Sequence, residues 1–175
     1  MTEYTFTLLI DGDVEAHIDE LFEAGCDDAT FGSVDGAQFA DFDRESETFA
    51  HAVVSAIRAV ESVDGLQVRR VEPEELVTLA EIAERLGRTR QSVHLLAVGA
   101  RGAGFPPPTS HLRSRTKLWR WTAVAEWAGD LPAEAVANGR VLAAANAALE
   151  LRDQARQLSD DAAQELLTLA EAVPA

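Results

Sequence analysis

Between Val77 and Gly99 the chain reads VTLAEIAERLGRTRQSVHLLAVG, and this stretch leaves the backbone little choice. Thr78 and Glu81 form a T-x-x-E pattern ahead of an apolar stripe, so a hydroxyl and a carboxylate can satisfy the orphan amides of a helix start. Leu79, Ile82, Ala83 and Leu86 then recur at helical spacing. Gly87 closes the stripe with a residue free to take a positive φ, and Thr89 is spaced to cap a second helix carrying Val93 and Leu96. Two short helices meeting at a glycine are predicted. The Ala83 methyl permits a close crossing, and Val93 and Leu96 close the small core between the helices. Arg88, Thr89, Arg90, Gln91, Ser92 and His94 are left facing outward.

The charge pattern sets this block apart. The chain of 175 residues carries a net charge of −15, which would argue against binding a polyanion if it were evenly spread. It is not. Residues 1–76 hold 4 basic and 19 acidic side chains, residues 77–129 hold 8 and 3, and residues 130–175 hold 3 and 8. Positive charge is concentrated in the middle block. A Debye length of about 8 Å at physiological salt lets the acidic ends be screened from a local contact. A hydrophobic content of 47% is that of a globular protein, no apolar run is long enough to span a bilayer, and no basic-then-apolar leader opens the chain, so a cytoplasmic protein is expected. The single cysteine, Cys26, excludes an intramolecular disulfide and reads as a small buried thiol.

Ahead of the basic block, residues 4–10 (YTFTLLI) read as a strand ended by Asp11-Gly12-Asp13. A helix from Val14 to Ala24 would bury Val14, Ile18, Leu21 and Phe22, with Gly25 as its stop. Strands at 29–32 and 37–42 flank Val34-Asp35-Gly36, a hairpin signal. Ser46 is expected to cap a helix running to about Val63 with Phe49, Val53, Ile57 and Val60 on one face, and 66–71 reads as a last strand. The order β-α-β-β-α-β is the split βαβ pattern of ferredoxin-like domains, and it places an acidic α+β domain at residues 1–72. His17, His51, Asp41 and Asp43 lack the spacing of a metal site, and nothing resembles a phosphate loop, a nucleophile elbow or a paired-carboxylate motif. No catalytic residue, metal or cofactor is expected, and the acidic surface reads as solubilising or as a dock for a basic protein partner.

Glu72-Pro73-Glu74-Glu75 forms the joint to the basic block. Beyond the two short helices, residues 100–110 (ARGAGFPPPTS) cannot be helical and read as an extended connector. His111 to Trp121 (HLRSRTKLWRW) interleaves Arg113, Arg115, Lys117 and Arg120 with Leu118, Trp119 and Trp121, as a basic hairpin would, and Thr122 is placed to cap a short helix ending at Gly129. The order LAEIAERLG-RTRQSVHLL, GFPPP, basic turn, LWRWTAVAEWAG resembles the winged helix-turn-helix of excisionase and MerR-type DNA-binding proteins, over residues 77–129. The resemblance rests on the spacing of Ala83, Gly87 and Val93, on the proline-rich turn and on the tryptophan-bearing wing; Arg88 stands where such motifs commonly carry an apolar residue. It implies a second helix in the major groove and a wing along phosphates or in the minor groove.

Pro132 opens a long alanine-rich helical segment, residues 130–175, in which Leu151, Ala155, Leu158, Ala162, Leu166 and Leu169 recur at three- and four-residue steps and Ser159-Asp160 can restart the helix. This stripe either covers the chain's own domains or pairs with a second copy; a homodimer would set two recognition helices about 34 Å apart. The function expected is sequence-specific double-stranded DNA binding by a bacterial transcriptional regulator. Arg90, Gln91 and His94 would read base edges. Arg88, Thr89 and Ser92 would hold phosphates at the helix start, and Arg101, Arg113, Arg115, Lys117 and Arg120 would supply the remaining backbone contacts, with Trp119 and Trp121 structural. The competing expectation is an antitoxin-like adaptor whose acidic first domain binds a protein partner.

Overall fold

The computed structural model describes residues 1–73, 76–111, 114, 116–129 and 132–171. Among them seven α-helices and a four-stranded antiparallel sheet give a mixed α+β chain. Two compact units divide it: Met1–Glu72 with Ala143 onward, and Pro73–Leu142. No helix among the described residues is long and apolar enough to cross a membrane.

In the first unit β1 (Thr2–Asp11) leads through a 3-10 turn at Glu15–His17 into α1 (Ile18–Glu23). The hairpin β2 (Ala29–Val34) and β3 (Ala37–Ser46) follows, then α2 (Phe49–Glu61) and β4 (Gln67–Glu72). The sheet order is β2-β3-β1-β4. Asp35 and Gly36 both take positive φ (52° and 85°), which makes the two-residue turn that matches strand twist and fixes Val34 opposite Ala37. Strand alternation turns Phe6, Leu8, Ile10, Ala40, Phe42, Val68 and Val71 inward with Leu21, Val53, Ala56 and Val60 of the helices, all buried. Phe6 stacks on Phe42 at 5.5 Å and meets Phe49 edge-on at 5.9 Å.

Two expectations for this unit are corrected. The segment 14–24 is not one helix: His17 sits at φ −118°, ψ 20°, so a 3-10 turn precedes a six-residue α1. The amide of Val14 is drawn to the Gln38 side chain (2.7 Å) and that of Ala16 to Asp13 (3.2 Å), which holds this start against the hairpin. Val14 and Leu21 are buried, whereas Ile18 and Phe22 are exposed. Nor does Ser46 cap α2. It pairs with Thr2 at the end of β3, and Thr48, extended at φ −140°, ψ 151°, accepts from the His51 amide instead.

The helix α6 (Ala133–Ala155) begins among residues of the second unit and ends among those of the first; α7 (Asp160–Glu171) follows. Within the first unit Asn146 of α6 lies along the edge strand β4. Its side-chain oxygen accepts from Val71 N–H and its amide donates to Val71 C=O, both at 2.8 Å. Arg152 donates to Val68 C=O at 3.0 Å and grips both carboxylate oxygens of Glu61 at 2.7 and 2.8 Å. Glu61 in turn accepts from Val68 N–H at 3.0 Å. Leu149 of this stretch is buried, while Leu166, Leu167 and Leu169 of α7 are exposed.

The second unit holds β5 (Leu76–Val77), α3 (Leu79–Arg85), α4 (Arg90–Ala97), β6 (Trp119–Arg120) and α5 (Trp121–Ala128). Val77, Ile82, Ala83, Val93, Trp119 and Val124 form its core, with Leu79, Leu86, Phe105 and Trp121 packed around them. The hairpin predicted for 111–121 falls partly outside the described residues; among those described one antiparallel bridge joins Ser110 to Leu118, and β6 bonds to β5, Leu76 opposite Arg120 and Val77 opposite Trp119. The short β5 strand wins β6 because both Val77 and Trp119 are buried in the same core. Thr122 does not cap α5; it lies buried inside the first turn, and Arg120 occupies the cap position.

Candidate nucleic-acid interface

The two short helices are fixed by their ends. At the start of α3 the Thr78 amide donates to the Glu81 carboxylate at 2.6 Å and the Glu81 amide to the Thr78 hydroxyl at 3.3 Å, a reciprocal capping box. The bond from the Thr78 amide holds the Glu81 carboxyl below the usual carboxylate range. At the other end Gly87 takes φ +59°, its amide donates to Glu84 C=O and the Arg88 amide to Ala83 C=O at 2.8 Å. This 6→1 and 5→2 pair of bonds turns the chain sharply out of the helix. The residue after the glycine usually adds an apolar contact here. Arg88 is exposed and sets its guanidinium over the Trp127 ring at 5.9 Å, so its stem and a cation–π contact stand in for that contact. Arg85 does the same over Trp121 at 4.9 Å.

The Thr89 hydroxyl accepts from the Ser92 amide at 3.2 Å and its carbonyl from Val93 N–H at 3.1 Å, which starts α4. Its O–H remains available as a donor, and the amides of Arg90 and Gln91 are the ones left for an outside acceptor at this helix start. Val93 and Leu96 bury one face of α4. Arg90, Gln91 and His94 are exposed on the other. Gly99, at φ +72°, ends the helix with the same pair of bonds seen at Gly87, from Gly99 N–H to Leu96 C=O and Ala100 N–H to Leu95 C=O.

Arg90 and His94, together with Ala97 and Val98, follow one helical stripe into a cavity of about 340 Å³. Thr78, Leu79 and Ala80 form its second wall; Pro108, Thr116, Lys117 and Trp119 form the third. Three residues expected to contact DNA, Arg90, His94 and Lys117, are therefore gathered around one opening, with Trp119 as an apolar wall. No match to this chain is found among protein-family models, curated proteins or solved structures. Gln91, Arg101 and Arg120 are exposed but do not line the opening, Ser92 is half-buried beside the cap, and Arg113 and Arg115 lie outside the described residues.

The Trp119 ring is buried and donates to Pro106 C=O at 3.2 Å; Trp127 donates to Ala103 C=O at 3.1 Å and meets Phe105 edge-on at 5.0 Å. These bonds bring the GFPPP segment back onto the core and so carry Pro108 to the cavity. Pro108 and Thr116 were not singled out from the sequence, because only the return of this segment brings them near α4, and Val98, the residue that follows α4, was not singled out either. Among the described residues no group of His, Cys, Asp or Glu is arranged to hold a metal ion.

Proposed function

We propose that this protein binds double-stranded DNA sequence-specifically as a bacterial transcriptional regulator without catalysis, its second unit acting as a winged helix-turn-helix. The observation that carries this reading is the division of α4: Val93 and Leu96 lock one face into the core, while Arg90, Gln91 and His94 stand exposed on the other. Arginine can grip the O6 and N7 of guanine, and glutamine the N6 and N7 of adenine, each pair contributing about 1–3 kcal/mol of discrimination. Lys117, which lines the same opening, would contact the phosphate backbone beside it. The positive charge of the chain is concentrated in residues 77–129, which is the local footprint a polyanion requires. The first unit, with strand order 4-1-3-2 and two helices on one face, is read as a ferredoxin-like domain.

Selection of bound sequences from a random duplex pool, followed by titration of the winner, tests the proposal. The double variant Arg90→Ala, Gln91→Ala should lose about a hundredfold or more in affinity for the selected site while its helix content stays that of the parent, because both side chains are exposed. Equal binding by variant and parent across a salt series, or a pool that never enriches, would overturn it.

A further inference from the structure

A four-stranded sheet has two edges, and the two in the first unit are treated differently. At β4 the outward backbone groups are taken by side chains: Asn146 holds both Val71 groups, Arg152 the Val68 carbonyl and Glu61 the Val68 amide. At β2 they are not. The two-residue turn makes Val34 and Ala37 a hydrogen-bonded pair, so Gly32 and Thr30 also bond to β3, and the N–H and C=O of Phe31 and Ser33 point out of the sheet. No described residue bonds to them. Beside this edge, under the start of α1, lies a cavity of about 370 Å³ with Val14, Ile18 and Phe31 as apolar wall and Asp13 and Glu15 at its rim.

We infer that β2 is a docking edge that accepts an extended, Lys/Arg-bearing segment of a partner protein as a fifth strand. Main-chain bonds to Phe31 and Ser33 would hold the segment, as in strand addition generally. An apolar side chain on its helix-facing side enters the cavity, and a basic one two residues along reaches Asp13 and Glu15. Charge decides the occupant. Twelve Asp and Glu residues precede Arg44, and no Lys or Arg does. Pairing of β2 with β2 of a second copy would bring Asp27 and Asp35 of both chains together, whereas a cationic strand meets carboxylates at both ends of the edge. This surface is independent of the DNA-binding reading and would stand if that reading fell.

The probe is an eight-residue peptide of repeating Val-Thr-Arg-Thr, titrated into the isotopically labelled full chain and followed by NMR. Saturable shifts should fall on residues 29–34 and 13–18, and amide exchange at Phe31 and Ser33 should slow by about tenfold or more. Peptides N-methylated at every second residue keep the charge and remove one set of donors. One of the two phases should bind about tenfold more weakly. Ser33→Pro should do the same, since proline fits an edge position whose N–H faces solvent. Equal binding of both N-methylated peptides would reduce the attraction to unspecific charge and overturn the inference without relying on any protein variant. A peptide-free protein that sediments as a dimer with Phe31 and Ser33 already protected would overturn it too, by giving the edge to a second copy.

Discussion

Cys26 is buried at the turn between α1 and β2, and removal from water pushes its thiol up to about 11 even though the Arg44 guanidinium beside it pulls the other way. Arg44 itself is held there by Asp28, through bonds of 2.7 Å to each carboxylate oxygen, and by the Gly25 carbonyl at 2.6 Å. Its own ionisation is raised above the usual arginine value by that Asp28 bond. The folded thiol keeps its proton over a range where the unfolded one, near 9.0, has lost it. Folding stability contributed by this group is thus full below about pH 9 and falls until about pH 11, by an amount on the order of 2 kcal/mol. Urea unfolding at pH 8 and pH 11 checks this. Cys26→Ala should flatten the drop relative to the parent, and a parent no more pH-sensitive than the variant would contradict the buried thiol.

Asn146 offers the corresponding test at the level of an element. Its side chain closes the β4 ladder at Val71, a buried residue, so Asn146→Ala leaves one donor and one acceptor without a partner and should cost about 2 kcal/mol. Hydrogen exchange at Val71 should speed up more than at Leu8 in the sheet centre; equal acceleration of both would show a global effect instead. This contact spans 75 residues of sequence, and nothing in an alanine-rich helix marks one asparagine as a strand mimic. The capping box of Thr78 and Glu81 was legible because its partners are three residues apart and obey local geometry. So was the order of strands and helices along residues 1–72. Ser46 misled because a serine before a helix pattern fits a cap, while the partner that keeps it in β3 is Thr2, at the other end of the sheet. In the site, the outward set on α4 was legible from spacing; the cavity it lines was not, since Pro108 and Thr116 reach it only through bonds from Trp119 and Trp127 to the preceding loop.

For the whole molecule the governing quantity is charge separation: 8 basic and 3 acidic side chains in residues 77–129 against 19 acidic and 4 basic in residues 1–76. If the proposed DNA reading holds, Lys117→Ala and Arg120→Ala should weaken binding to matched and unmatched duplexes alike, and each should lower the slope of log affinity against log salt by about 1. A loss confined to the matched site would make these residues base readers. The arrangement of β4 carries a further consequence, in time. The sheet strands are complete in the chain by Glu72, but the residue that closes the β4 edge, Asn146, is made 74 residues later. At about 5–20 residues per second the nascent sheet spends several seconds with both edges open on the ribosome. Over that interval the excess of carboxylates in the first 76 residues makes two such sheets repel one another.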